Sequence, residues 1–198
     1  NAMYPNLVTL ILFCIAAGFT PGPNNILGSY QGFNFGIKKS LPLIIGVTFG
    51  YTFLLIILAA GLIAIFKTYP LLQIILKICG SAFLIYLAYK IAFQNKIEQR
   101  NVVNPVNFFD TFIFQFVNPK GVIIGITTIS TFVEAGSNYL LHSIVVIGVS
   151  SCVALTSITS WCLLGKFLRR FATNEKFIQI FNYVMSSLLI VCVIMFYI

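Results

Sequence analysis

Four polar side chains stand beside prolines in stretches that are otherwise apolar. Asn24 and Asn25 follow Pro21 and Pro23 in "GFTPGPNN" (Gly18–Asn25), and Asn118 and Lys120 flank Pro119 in "FVNPKG" (Phe116–Gly121). Proline removes a backbone N–H and clashes with the preceding turn, and it pushes the residue before it toward extended backbone. Each stretch therefore ends one helix and opens another. A newly opened helix shows unpaired N–H groups at the positive end of its dipole, and such an end binds carboxylate or phosphate. The chemistry on offer is recognition of a small anionic group, with amides and one ammonium as side-chain partners. Catalysis is not on offer: no nucleophile–base set or metal triad is recognisable, and no enzyme activity or cofactor is expected. The five cysteines, Cys14, Cys79, Cys152, Cys162 and Cys192, all fall in apolar segments without a CxxC pair. They read as small buried hydrophobes, not as a metal site or a disulfide framework.

The elements that must position these residues are membrane helices. Of the 198 residues 59% are hydrophobic and 8% charged, against roughly 25% charged in a soluble domain. That leaves too little polar surface for a water-soluble globule. A span needs about 20 apolar residues, and six stretches qualify: 7–28, 41–66, 70–93, 108–133, 139–165 and 177–198. No cleavable signal peptide is expected, and Asn1-Ala2 ahead of Met3 reads as a tag remnant. The second and third spans, separated only by Lys67–Tyr69, form a tight hairpin in which Pro70 suits a first helical turn.

Charge fixes the direction. Lys38, Lys39, Lys90, Lys96, Arg100, Lys166, Arg169, Arg170 and Lys176 lie in or beside the odd-numbered linkers, against Lys67 alone in the even-numbered ones. Basic linkers face the cytoplasm, which puts both termini outside. The net charge of +8 suits an anionic lipid surface; a nucleic-acid partner is not expected. Small-residue faces are compatible with a homodimer and specify none.

The chain echoes itself. Phe19-Thr20-Pro21 lines up with Val117-Asn118-Pro119, 98 positions later and close to half the chain. Each proline breaks the first span of a three-span unit, about 7–93 and about 108–198. Three spans is an odd number, so the second unit enters from the opposite side. The expected fold is all-α: six transmembrane helices in two inverted three-helix repeats, an architecture common in secondary transporters. The two half-helix starts then converge near mid-membrane. Thr20, Pro21, Gly22, Pro23, Asn24, Asn25, Asn118, Pro119 and Lys120 form the expected substrate cradle.

Individual roles divide as follows. Lys120 falls near mid-depth, where a lysine costs roughly 2.5–3.5 kcal/mol. It is either the counter-charge to a substrate carboxylate or is paired with carbonyls freed by Pro119. Asn118 is placed to cap the half-helix at Pro119, and Thr20 to cap the first break. At least one of Asn24 and Asn25 should line the cavity. Asp110 is the candidate for proton coupling, with helix entry beside the N-terminal dipole as its alternative. Lys77 can snorkel. His142 and the glycines Gly18, Gly46, Gly50, Gly61, Gly80 and Gly148 read as structural, the glycines through close helix packing.

Several of these stretches carry a resemblance. "FTPGPNN" (Phe19–Asn25), "GIKKS" (Gly36–Ser40), "LKICGSAFLIYLAYK" (Leu76–Lys90), and "FVNPKG" followed by "TFV" (Thr131–Val133) resemble the LysE/RhtB family of bacterial amino-acid exporters over nearly the whole chain. The departures are Asp110, where the family commonly has glycine, and Ser130-Thr131-Phe132, where it commonly has Pro-Gln-Phe. The resemblance implies a multi-pass protein of the bacterial inner membrane that exports amino acids or close derivatives, driven by the proton gradient. With only four acidic residues, none central, a dibasic substrate lacks a partner, and neutral amino acids are expected. The alternatives are a basic amino-acid or cation exporter, a membrane thiol-redox or electron carrier, and a non-transporting scaffold.

Overall fold

The computed structural model describes residues 6–93 and 105–198. The basic residues Lys96 and Arg100 and the Asn1-Ala2 pair lie outside the described residues. Among those described, all regular structure is helical: α1 (Leu7–Phe19), α2 (Pro23–Ile57), a π-helical turn (Leu58–Leu62), α3 (Ile63–Thr68), α4 (Pro70–Ala92), α5 (Phe108–Val117), α6 (Pro119–Phe132), α7 (Tyr139–Arg169) and α8 (Glu175–Met195). Four runs are long and apolar enough to cross a membrane: Pro23–Thr68, Pro70–Ala92, Tyr139–Arg169 and Glu175–Met195. A fifth is the pair α5–α6, bent by 63° at its break. The chain is an all-α, multi-pass membrane protein.

The run Pro23–Thr68 holds 46 residues, about 69 Å of helix, twice the thickness of the apolar bilayer core. It turns at Gly36, where φ is 73° and ψ 174°, a conformation only glycine adopts at low cost. This corrects the expected boundaries. The first span does not end at Gly28; its second half runs from Pro23 to the turn. "GIKKS" is not a loop but the start of the next helix, with Ser40 Oγ donating to the Gly36 carbonyl at 2.8 Å. The expected hairpin at Lys67–Tyr69 is present, with Pro70 at the first position of α4.

Glycines set the helix contacts. A Cβ on Gly32 would fall 1.9 Å from the Cys162 carbonyl oxygen, and one on Gly165 would fall 2.0 Å from that of Ser29. The first part of α2 and α7 therefore touch backbone to backbone. Gly46 and Gly50 admit α5 in the same way at Phe108 and Phe112, and Gly80 on α4 sits against the Val117 carbonyl, 1.9 Å from where its Cβ would be. Close approach through small residues is the membrane substitute for hydrophobic association. Gly61 and Gly148 do not serve this end, because nothing lies within 4 Å of a Cβ at either. Gly61 instead takes φ 127° in the π-helical turn, whose freed Ala59 carbonyl accepts the Tyr139 hydroxyl. The expectation of five buried cysteines holds for Cys14 and Cys162; Cys192 is half-buried, and Cys79 and Cys152 are exposed on outer helix faces.

At the ends of the bundle, polar and aromatic contacts replace glycine packing. Phe33 stacks on Phe181 with centroids 3.7 Å apart, and Arg169 lies over the Phe33 ring at 5.2 Å. Asn34 Nδ2 donates to Asn182 Oδ1 at 3.0 Å, and Ser186 Oγ to the Ala88 carbonyl at 2.7 Å. Lys77 sets its ammonium 4.4 Å from the Tyr197 ring centroid. His142 is fully buried and accepts the Glu134 backbone N–H on Nδ1 at 3.3 Å, which ties the α6–α7 loop to α7.

Candidate functional site

The first break leaves the last carbonyls of α1 without helical partners, and side chains take them up. Thr20 Oγ1 turns back to the Ala17 carbonyl at 2.8 Å. The Gly18 carbonyl accepts from Asn25 Nδ2 and from Ser157 Oγ of α7, both at 2.8 Å. The Thr20 carbonyl accepts from Asn25 Nδ2 at 2.9 Å and from the Lys120 ammonium at 2.8 Å. Lys120 also donates to Thr20 Oγ1 at 3.0 Å and to the Pro21 carbonyl at 3.4 Å. A buried carbonyl left unpaired costs about 1–3 kcal/mol, so Asn25 mends the backbone of this break while Lys120 spans both breaks.

Two expectations are corrected here. Lys120 does not pair with carbonyls freed by its own Pro119; it reaches those freed 100 positions earlier by Pro21 and Pro23. Asn118 does not cap a half-helix, whereas Thr20 does cap the first break, from the α1 side. Gly22 is the residue before α2 and gives no side-chain cap; Thr20 closes the C-terminal end of α1. Asn118 precedes α6 without a side-chain cap bond. Its Oδ1 is buried with no hydrogen-bond partner among the described residues.

The two half-helices thus begin with open N–H groups. In α2 the first helical turn closes with the Ile26 N–H on the Gly22 carbonyl, and in α6 with the Val122 N–H on the Asn118 carbonyl. The N–H groups of Asn24, Asn25, Lys120 and Gly121 precede these closures. Elsewhere asparagine seals the helix: Asn6 on α1, Asn107 on α5 and Asn174 on α8 each accept a first-turn N–H. Helices α4 and α7 also start without a side-chain cap, but they do so at the ends of the bundle. Among the described residues, only α2 and α6 start uncapped at a proline break within a span; α3, also uncapped, follows the π-helical turn.

Both starts line one cleft, a cavity of about 80 Å³ between α1, α2, α5, α6 and α7. Of the expected cradle, Gly22, Pro23, Asn24, Asn25, Asn118 and Lys120 line it; Thr20, Pro21 and Pro119 do not, and Thr20 and Pro21 are reached from it through the Lys120 ammonium. Among the described residues, no Asp or Glu lines the cleft. Asp110 stands apart on the exposed first turn of α5, its backbone N–H capped by Asn107 Oδ1 at 2.9 Å.

Among the lining residues that sequence reasoning missed are Gln115, Ser150 and Ser157. Gln115 exchanges amide bonds with Asn24, donating Nε2 to Oδ1 at 3.1 Å and accepting Nδ2 on Oε1 at 2.8 Å. Its Nε2 also donates to the Thr111 carbonyl at 2.8 Å. Ser157 binds the first break as described, and Ser150 lies 3.4 Å from Cys14 Sγ. The signal for Gln115 was legible: a glutamine one turn before a break in an apolar span is as unexplained as the asparagines. For the serines it was not, because α7 carries many hydroxyls that bond its own carbonyls.

The sequence matches the family model for LysE type translocators over residues 15–198. It is 29% identical over 196 residues to the cysteine/O-acetylserine efflux protein of Escherichia coli O139:H28, with 97% of this chain and 98% of that protein covered. The proteins of the same name from Escherichia coli K12 and Shigella sonnei are each 28% identical over the same shares. No solved structure matches the chain significantly. The match runs through both breaks and every helix after them: the chain belongs to the LysE type translocator family.

Proposed function

We propose that the protein is a secondary active exporter of small neutral amino acids or their close derivatives in a bacterial inner membrane. The substrate sits in the cleft, its carboxylate toward the open N–H groups of α2 and α6. One observation carries this reading: the two helix starts that lie inside broken spans are uncapped and line the same cavity as a lysine. Such starts favour an anionic group. The printed names of the relatives, cysteine and O-acetylserine efflux, support a small amino-acid cargo. So does the cavity, because about 80 Å³ holds roughly five to eight water-sized groups at 10–15 Å³ each. The absence of a carboxylate in the cleft disfavours a dibasic cargo.

Alternating access by two inverted halves, about 7–93 and about 108–198, is part of the proposal. It is supported by how the helices pair. Exchanging the halves maps the α1–α2 break onto the α5–α6 break. It maps the contact of α1 with α7 at Gly18, Val153 and Ser157 onto that of α5 with the second part of α2 at Gly46 and Gly50. The contact of α4 with α8, made where Ser186 Oγ donates to the Ala88 carbonyl, maps onto itself. These contacts have counterparts, as a pseudo-two-fold requires. For Asp110, the exposed first turn of α5 supports helix entry beside the dipole over proton relay.

The experiment is efflux from proteoliposomes loaded with cysteine, serine, threonine, leucine or lysine, with and without an imposed proton gradient. Efflux of small neutral amino acids that slows at least tenfold when the gradient is collapsed is the expected result. Asp110→Asn should retain that gradient dependence. Export of lysine alone would overturn the neutral assignment, and gradient-independent efflux would overturn the coupling.

A further inference from the structure

We infer that the Lys120 ammonium occupies the seat of the substrate's own ammonium, and that a zwitterion enters the cleft by exchanging with it. The inference rests on the reading that amino acids bind in this cleft. The seat is made of three oxygens, the Thr20 carbonyl at 2.8 Å, Thr20 Oγ1 at 3.0 Å and the Pro21 carbonyl at 3.4 Å. They lie at the negative end of α1, where the chain leaves its carbonyls unpaired, so the seat calls for a cation. In this structure the cation is a side chain from the other break.

Lys120 meets only neutral oxygens there, and no Asp or Glu among the described residues lines the cleft. A zwitterion corrects both shortfalls. Its ammonium takes over the three oxygens, and its carboxylate pairs with the released Lys120 ammonium and the open N–H groups. The net charge added to the cleft is zero, which matters where an uncompensated charge is expensive. Asn118 supplies an independent mark of a ligand: its side chain is 2% exposed, lines the cleft and leaves Oδ1 without a partner among the described residues. An acceptor buried that way calls for a donor from a ligand in the cleft. When the cleft empties, Lys120 falls back on the seat and pins the breaks together.

Gly22 makes the latch possible. A Cβ there would fall 2.7 Å from Lys120 Cδ and 2.8 Å from Nζ, so Gly22→Ala pushes the ammonium off the seat while keeping its charge. Specificity follows: the cargo must carry both a free α-ammonium and a free α-carboxylate, since either alone leaves one side of the exchange unmatched.

The test is equilibrium binding to the purified full-length protein in lipid nanodiscs. The probes are L-serine, L-cysteine, L-threonine and O-acetylserine, with serine methyl ester as the amine alone and N-acetylserine as the carboxylate alone. Wild type is expected to bind at least one zwitterion ten times or more tighter than either blocked analogue. Lys120→Met is expected to lose that zwitterion tenfold or more and to gain binding of serine methyl ester, because the seat is vacated. Gly22→Ala should gain the methyl ester likewise, and it serves if Lys120→Met does not fold. Equal binding of zwitterion and methyl ester by wild type overturns the exchange and leaves the exporter reading standing, as does unchanged zwitterion affinity in Lys120→Met. Gain of the amine separates the exchange from a structural role for Lys120, which predicts loss alone. If wild type binds none of the four zwitterions, the reading of the cleft fails and the exchange fails with it.

Discussion

The residues around the two breaks divide by what they satisfy. Asn25 and Ser157 serve the carbonyls at the end of α1, and Asn24 serves Gln115 on the other side of the cleft. Three features remain open to a ligand: the Lys120 ammonium, whose partners are exchangeable oxygens, the lone Asn118 Oδ1, and the uncapped N–H groups. The Asn24–Gln115 amide pair joins the two breaks directly, so its strength measures how firmly they are held. A double-mutant cycle with Asn24→Ala and Gln115→Ala, read by unfolding in mixed micelles, should give a coupling of about 0.6 kcal/mol, the mean for polar pairs between membrane helices. A coupling of zero would mean that each amide is satisfied elsewhere when its partner is lost.

At the scale of elements, the bend between α5 and α6 depends on more than Pro119. Gly80 of α4 lies against the Val117 carbonyl, one residue before the bend. That carbonyl belongs to the last turn of α5, and α4 can reach it only because no side chain intervenes. Gly80→Ala places a methyl group 1.9 Å from the oxygen, so the helices must part, at about 1–3 kcal/mol for an overpacked contact. The expected outcome is a lower melting temperature together with slower efflux. Gly148→Ala, where nothing lies within 4 Å, should stay within about 0.5 kcal/mol of wild type. Equal loss at both positions would show that helix glycine itself, not close approach, is what the fold needs.

At the scale of the molecule, orientation decides which way cargo moves. The basic segments around Lys38, Lys39 and Lys166–Lys176 are proposed to face the cytoplasm, and the α6–α7 loop with Glu134 the outside. In a background with the native cysteines replaced, Glu134→Cys should react with a membrane-impermeant maleimide in intact cells. Lys166→Cys should react only after the cells are permeabilised. The reverse pattern would invert the molecule and place both termini inside.

The sequence by itself determined the class and the broken helices and singled out the polar residues at both breaks, because proline and mid-span polar residues act through local backbone chemistry that needs no partner. It placed Lys120 at the centre of the problem, since a lysine at mid-depth has to be paired. Which oxygens pair it was decided only in three dimensions: the bundle brings Thr20 and Pro21 to a residue 100 positions away, and no periodicity carries that information. The same holds for Gln115 and Ser157, ordinary polar residues until their neighbours are known. It holds as well for the glycines. The sequence does not distinguish Gly80, against a carbonyl, from Gly148, against open space, because close approach is a property of two helices and not of one.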